Sequence, residues 1–227
     1  DSGYLTEGPV TKEFENNLKK YIGCKYLHAV TSATTGLEVA LRALGIGPGD
    51  EVIVPDYTYP ATASVIAIVG AKAVIVDVSK EDMLLNFDAL EAAINKNTKA
   101  IIPVHLYGQM CEMDKIMQIA SKHNLKVIED CAQSHGATYK NKKAGSIGDV
   151  GCYSFYPTKI FGAYGDGGFI TTNNEELFDR MKRIRFLGME KKKMSSGHWN
   201  GKYYAIEHGT NSRLDEVHAA ILLKKFP

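Results

Sequence analysis

The 227-residue sequence is most informative at first through what it lacks. Its four cysteines, Cys24, Cys111, Cys131 and Cys152, are scattered, with no CxxC pair among them. That spacing supports neither a disulfide framework nor a zinc site, and it suits a reducing cytosol. No apolar run reaches the roughly 18 residues that a membrane helix needs, and no charged segment followed by an apolar one opens the chain as a signal peptide does. Lysine and arginine balance aspartate and glutamate to a net charge of +1, which argues against a nucleic-acid or acidic-membrane partner. There is no GxxxxGK[ST] for a nucleotide, and "GAYGDGG" is not GxGxxG and precedes a strand rather than a helix. Internal repeats are absent. The expectation is a soluble cytoplasmic globular protein with a sizeable core, 44% of its residues being hydrophobic. Asp1 stands where an initiator methionine is usual, and the chain stops at "AAILLKKFP", just after an expected helix. Both ends are expected to be trimmed.

What is present is an alternation of short β-branched runs with helical ones, which predicts an α/β protein with a largely parallel sheet. "FENNLKKYIG" reads as an amphipathic helix stopped by Gly23, "YLHAVTS" as a strand, and "TTGLEVALRALG" as a helix closed by Gly45. Strands are expected at "EVIVP", "KAVIVDV", "KAIIPVHL" and "KVIEDCA", then at Val150–Phe155 and Gly168–Thr172. Helices are expected at "ATASVIAIVG", "FDALEAAINKN", "MDKIMQIASKHN" and "EELFDRMKRIRFLG". Strand ends carry polar residues, namely Ser32, Asp77, His105 and Asp130. In open α/β sheets that edge is where ligands bind. The basic segment from Glu190 to Tyr203 reads as a mobile surface loop.

Several residues on this edge could carry chemistry. "TSATTG" sets Thr31, Ser32, Thr34 and Thr35 at a strand–helix junction, where free N–H groups and the helix dipole favour an anion. Ordinary N-capping by Ser32 or Thr34 explains the same residues. Asp130 ends an apolar strand, where a carboxylate is costly unless paired; it is either a structural cap or ion pair, or the partner of a cationic ring nitrogen. Lys159 follows "YSFYPT" and precedes Gly162, Gly165, Gly167 and Gly168. It is either a surface lysine or an amine drawn into a pocket as nucleophile or base. His105 reads as a structural histidine, having no second ligand at metal spacing. Tyr57 and Tyr59 are core or rim aromatics, one of which could cover a flat ligand.

The order of these elements, a phosphate-type helix start, an aromatic, a strand-end Asp and a lysine beyond a Ser-bearing strand, resembles pyridoxal-phosphate enzymes of the aspartate-aminotransferase fold. More narrowly, the chain resembles the DegT-type family of nucleotide-sugar aminotransferases. The blocks that carry this are "LTEGPVTKEFENNL", "DEVIVPDYTYPATASVI", "AIIPVHLYGQMCEMD", "VIEDCAQSHGA", "GSIGDVGCYSFYPTKIFGAYGDGGFITTN" and "GTNSRLDEVHAAIL". The resemblance implies a three-layer α/β/α large domain over residues 1–227, with a mixed, mostly parallel sheet of about seven strands. It also implies a smaller C-terminal domain, which is expected to be missing.

By the same resemblance Lys159 forms the Schiff base with pyridoxal 5'-phosphate and later moves the proton. Asp130 keeps the ring nitrogen protonated, Gln133 lies near the ring's phenolic oxygen, and Tyr59 stacks on the ring. Ser154 and the backbone N–H groups of Ala33 and Thr34 take the phosphate, and Asn211 reaches the phosphate site of a partner subunit in a homodimer. The implied reaction is a ping-pong transamination from glutamate, through pyridoxamine phosphate, to a keto group on a nucleotide-linked deoxysugar. No metal is expected. Ala33 stands where the family usually has Gly, which is tolerable if its φ is negative. His218 stands where Gln is usual. Other readings are a pyridoxamine-dependent sugar dehydratase, disfavoured because Lys159 stands where those relatives carry His, an aminotransferase acting on a cyclic ketone, and a non-catalytic regulatory protein. The glycines after Lys159 are expected to let the backbone pass close to a flat cofactor and a neighbouring subunit.

Overall fold

The computed structural model describes residues 3–190 and 204–226. The basic stretch from Glu190 to Tyr203, expected as a mobile loop, lies outside the described residues except for Glu190.

The elements follow in the order α1 (Pro9–Ile22), β1 (Tyr26–Val30), α2 (Ala33–Ala43), β2 (Glu51–Pro55), α3 (Ala61–Ile68), β3 (Lys72–Val76), α4 (Phe87–Ala93) and β4 (Thr98–Ile101). Then come α5 (Met113–His123), β5 (Lys126–Asp130), the small hairpin β6 (Thr138–Tyr139) and β7 (Lys142–Lys143), β8 (Val150–Ser154), β9 (Gly168–Thr172), α6 (Glu175–Ile184) and α7 (Glu216–Lys225). Seven strands form one sheet in the order β1-β9-β8-β5-β4-β2-β3. Only β9 runs against its neighbours, β1 and β8; the other pairings are parallel.

Helices cover both faces, which is why the central strands are apolar on both sides. The period of two decides which residue meets which layer. Val52, Val54, Ala100, Ile128, Cys152 and Ile170 pack under α2, α3 and α6. Their sequence neighbours Ile53, Ile101 and Val127 face α4 and α5, while Tyr153 and Phe169 face α1 and α7.

The expected helix stops hold. Gly23 caps α1 in the left-handed region, φ 78°, its N–H donating to Lys19 O. Three features differ from expectation. The strand expected over "KAIIPVHL" ends at Ile101, because Pro103 has no N–H to donate; beyond it only a single bridge, Val104 with Asp130, continues the pairing. The hairpin of β6 and β7 is too short to leave a periodic signature. Helix α1 starts at Pro9, ahead of the apolar stripe that marks it in the sequence, and no side chain of its own caps it. Its cap comes from α7: the Glu216 carboxylate accepts from the N–H groups of Gly8 (2.8 Å), Val10 (3.1 Å) and Thr11 (2.9 Å), and from the Thr11 hydroxyl. Burial works against this charge, yet the Thr11 hydroxyl and these N–H groups hold the carboxyl below its usual range.

Candidate active site

Strands β1, β8 and β5 run parallel to one another, so Val30, Ser154 and Asp130 end on the same edge of the sheet. Gly168, at the start of the antiparallel β9, lies between two of them, paired with Val30 on one side and Ser154 on the other. Helix α2 starts from this point. Ser32 is extended and caps it, its Oγ accepting from Thr35 N–H at 3.1 Å, so the capping expected of Ser32 is real. It engages Thr35 and leaves the N–H groups of Ala33 and Thr34 at the open end of the helix. Ala33 is helical, with no positive φ, so its Cβ is accommodated where a glycine is usual. The hydroxyls of Thr31, Thr35 and Ser212 join behind it at 2.9–3.1 Å.

A Cβ on Gly168 would stand 2.4 Å from Tyr153 O and 2.9 Å from Ala33 N, so this junction has no room for a side chain. Gly168→Ala is expected to destabilise the fold by about 1–3 kcal/mol through overpacking and to lower the thermal midpoint in a melt, because backbone rather than a flexible side chain must move. The other glycines also meet the chain itself: a Cβ on Gly162 would strike Pro157 O at 2.5 Å, and one on Gly165 the ring of His218 at 2.9 Å. Close self-packing is therefore a reason for glycine at Gly162 and Gly168 that needs no ligand.

Asp130 is 6% exposed. Oδ2 accepts from the Thr62 hydroxyl at 2.9 Å and Oδ1 from Ala132 N–H at 3.1 Å, both uncharged donors. Burial pushes its pKa up, and the Ala132 N–H, the Thr62 hydroxyl and the Lys159 charge oppose that push. Lys159 sits in a turn after β8, its N–H donating to Tyr156 O at 2.8 Å, and its side chain is half-buried. His135 packs against Tyr153 and Phe155, with ring centroids 5.3 and 6.2 Å apart. Burial drives its pKa down to about 4, and the Lys159 charge acts in the same direction, so the ring is neutral at pH 7.

Gln133 Oε1 accepts from Tyr107 N–H at 3.2 Å. Tyr107 is held at φ 53°, costly for an aromatic residue, and its hydroxyl meets that of Tyr57 at 2.9 Å. Tyr59 is 69% exposed and Tyr107 67%, so the site is an open face. The cavity of about 610 Å³ lined by Glu7, His28 and Arg185 is built on α1 and α6 and contains none of these residues. Asn211 is exposed, its Oδ1 accepting from Arg213 Nε at 2.9 Å.

His105 is structural, as expected, although the fold supplies a carboxylate that sequence spacing did not reveal. Its Nε2 lies 2.9 Å from Glu129 Oε2, with both side chains fully buried, and Nδ1 accepts from Cys111 N–H. Cys131 Sγ is close enough for the three to form a potential metal cluster. Glu129, however, is already engaged by the N–H groups of Gly145, Ile147 and Gly148, which makes it a clamp rather than a ligand.

The structure thus brings Ala33, Thr34 and Ser154 together around Gly168, and Asp130, Gln133 and Lys159 along the adjoining edge, with Asn211 on the surface beside Ser212. Sequence reasoning missed Thr62, Tyr107 and His135. For Thr62 a signal existed: a threonine inside the otherwise apolar helix "ATASVIAI".

The chain is similar to several known proteins. A UDP-2-acetamido-2-deoxy-3-oxo-D-glucuronate aminotransferase from Pseudomonas aeruginosa is 46% identical over 98% of the chain and 59% of its own length. A pleiotropic regulatory protein from Geobacillus stearothermophilus is 46% identical over 97% of the chain and 56% of its own length. The crystal structure of NtdA from Bacillus subtilis with bound cofactor PMP superimposes with a TM-score of 0.88 at 38% identity, over 98% of this chain and 48% of that one. The chain therefore spans about half to three-fifths of the length of these relatives. The model of the DegT/DnrJ/EryC1/StrS aminotransferase family matches residues 1–227, and the chain belongs to that family.

Proposed function

We propose that this chain is the cofactor-binding large domain of a pyridoxal-phosphate-dependent aminotransferase that transfers an amino group from glutamate to a keto group on a nucleotide-linked sugar. The observation that carries the reading is a buried, neutrally hydrogen-bonded Asp130 on the same sheet edge as Lys159, whose charge acts on it without forming an ion pair among the described residues. The residues fit the cofactor. A buried carboxylate with only uncharged donors suits a cationic ring nitrogen, and the crowded junction of Ala33, Gly168 and Ser154 suits a phosphate held by backbone N–H groups.

Bound there, pyridoxal phosphate supplies an electron sink for the α-carbon of an amino substrate. The geometry supports the following tasks for the protein's own residues. Asp130 holds the ring nitrogen in its protonated form. The N–H groups of Ala33 and Thr34, with the Ser154 hydroxyl, hold the phosphate. Gln133 would hold the phenolic edge, and Tyr59 would cover one ring face. Lys159 would bind the cofactor carbonyl, and its free amine would be the group placed to carry a proton to and from the substrate α-carbon. The open face and the exposed Asn211 support a homodimer in which a second copy completes the site. Four free, buried cysteines support a reducing, cytoplasmic setting, and no helix among the described residues is long and apolar enough to cross a membrane.

The name of the Geobacillus relative favours a second reading, a regulatory protein without turnover. One experiment separates the two. The full-length protein is loaded with pyridoxal phosphate, titrated with glutamate and offered 3-keto and 4-keto nucleotide sugars. A glutamate-dependent change in the visible band followed by amination of one sugar is the expected result. A band that ignores glutamate supports the regulatory reading.

A further inference from the structure

The helix that carries Thr62 makes an unusual set of contacts for an apolar segment. Thr62 is fully buried in α3 and lies 68 residues from Asp130 in sequence, yet its Oγ1 donates to Asp130 Oδ2 at 2.9 Å. Its only hydroxyl proton is spent there, so the 3.0 Å contact with Thr58 Oγ1 must run the other way, Thr58 donating to Thr62. The result is a directed relay from Thr58 through Thr62 to the carboxylate, in which each bond polarises the next. Thr62 N–H also donates to Tyr59 O at 3.1 Å. One residue thus binds the loop bearing Tyr59 through its backbone and the Asp130 carboxylate through its side chain.

We propose that Thr62 is a positioning residue that sets the orientation and ionisation of Asp130 and registers the Tyr59 loop against it, so that ring-nitrogen and ring-face contacts are made together. This rests on the pyridoxal-phosphate reading above. Asp130 has one protein donor on each oxygen, and burial works against its charge. Deleting the Thr62 hydroxyl leaves Oδ2 of the buried Asp130 without a protein donor, and an unmade bond to a buried charged group is costly. Valine keeps the shape of threonine and removes only that hydroxyl. Serine keeps the hydroxyl.

The test uses full-length protein as wild type, Thr62→Val, Thr62→Ser and Thr58→Val. In the cofactor-free protein the Asp130 carboxyl is followed against pH by isotope-edited infrared or carbon NMR spectroscopy, assigned with Asp130→Asn. Its midpoint is expected to rise in Thr62→Val, to rise less in Thr58→Val, and to return towards wild type in Thr62→Ser. In the loaded protein, retention of pyridoxal phosphate is expected to weaken about tenfold to a hundredfold in Thr62→Val, the range for losing a hydrogen bond to a charged group, and to recover in Thr62→Ser. An unchanged Asp130 midpoint in a folded Thr62→Val protein overturns the proposal, as does a serine variant no better than valine. Failure of the wild type to take up pyridoxal phosphate sinks the functional reading instead, a result distinguishable because the cofactor-free titration is read independently.

Discussion

Lys159→Ala is expected to lower turnover by about 10,000-fold, the upper range for a positioned acid–base group, while leaving the thermal midpoint nearly unchanged. The reasoning is local. Lys159 is half-buried in a turn whose only described backbone bond, from its N–H to Tyr156 O, is made equally well by alanine. Its charge acts on Asp130 and His135 but forms no ion pair among the described residues, so its removal costs the fold little. Under the proposed function it costs the chemistry both the covalent hold on the cofactor and the proton carrier. Borohydride reduction of the loaded wild type, followed by peptide mass spectrometry, is expected to place the pyridoxyl label on the peptide containing Lys159, and to find none in the variant. A label on another lysine, or undiminished turnover, contradicts the assignment.

Glu129→Ala should be the most damaging single change to the fold, at about 3–5 kcal/mol, the cost of removing one partner of a buried, hydrogen-bonded pair. The deleted carboxylate abandons His105 and the N–H groups of Gly145, Ile147 and Gly148, all of which lose water on folding. Urea denaturation measures the loss. Acid dependence supplies a second, sharper check. Burial opposes ionisation of Glu129, but His105 and the backbone donors outweigh it and hold the folded-state carboxyl below its ordinary value. Its stabilisation is therefore fully present above the unfolded value, about 4.3 for glutamate, and lost as pH falls through the lower folded one. Glu129→Gln should flatten that limb of the stability curve; an unaltered acid profile removes the clamp from the account.

The adjacent pair Glu129 and Asp130 also shows where sequence reasoning reached and where it stopped. Alternating β-branched runs and helix stops such as Gly23 are local signals, and the strand order's polar edge followed from them. Asp130 was legible because it ends an apolar strand. Glu129, one residue away, was not singled out, since its four partners come from His105 and from a loop 16 to 19 residues downstream, which only folding brings together. Thr62 escaped for the same reason, its partner lying across the sheet edge. The spacing of the glycines after Lys159 is likewise plain in the sequence, but which atoms crowd them is a tertiary fact: Pro157 at Gly162, His218 at Gly165, Leu214 and Phe155 at Gly167, and Tyr153 and Ala33 at Gly168.

The cap that Glu216 places on α1 also has a consequence in time. Its acceptors reach Gly8 from 208 residues further along the chain. At translation rates of about 5–20 residues per second, the first turn of α1 waits on the order of ten to forty seconds for its carboxylate. Throughout synthesis of the sheet that helix has an amphipathic face to bury but no anion at its start, and it is fastened only after all seven strands have been made.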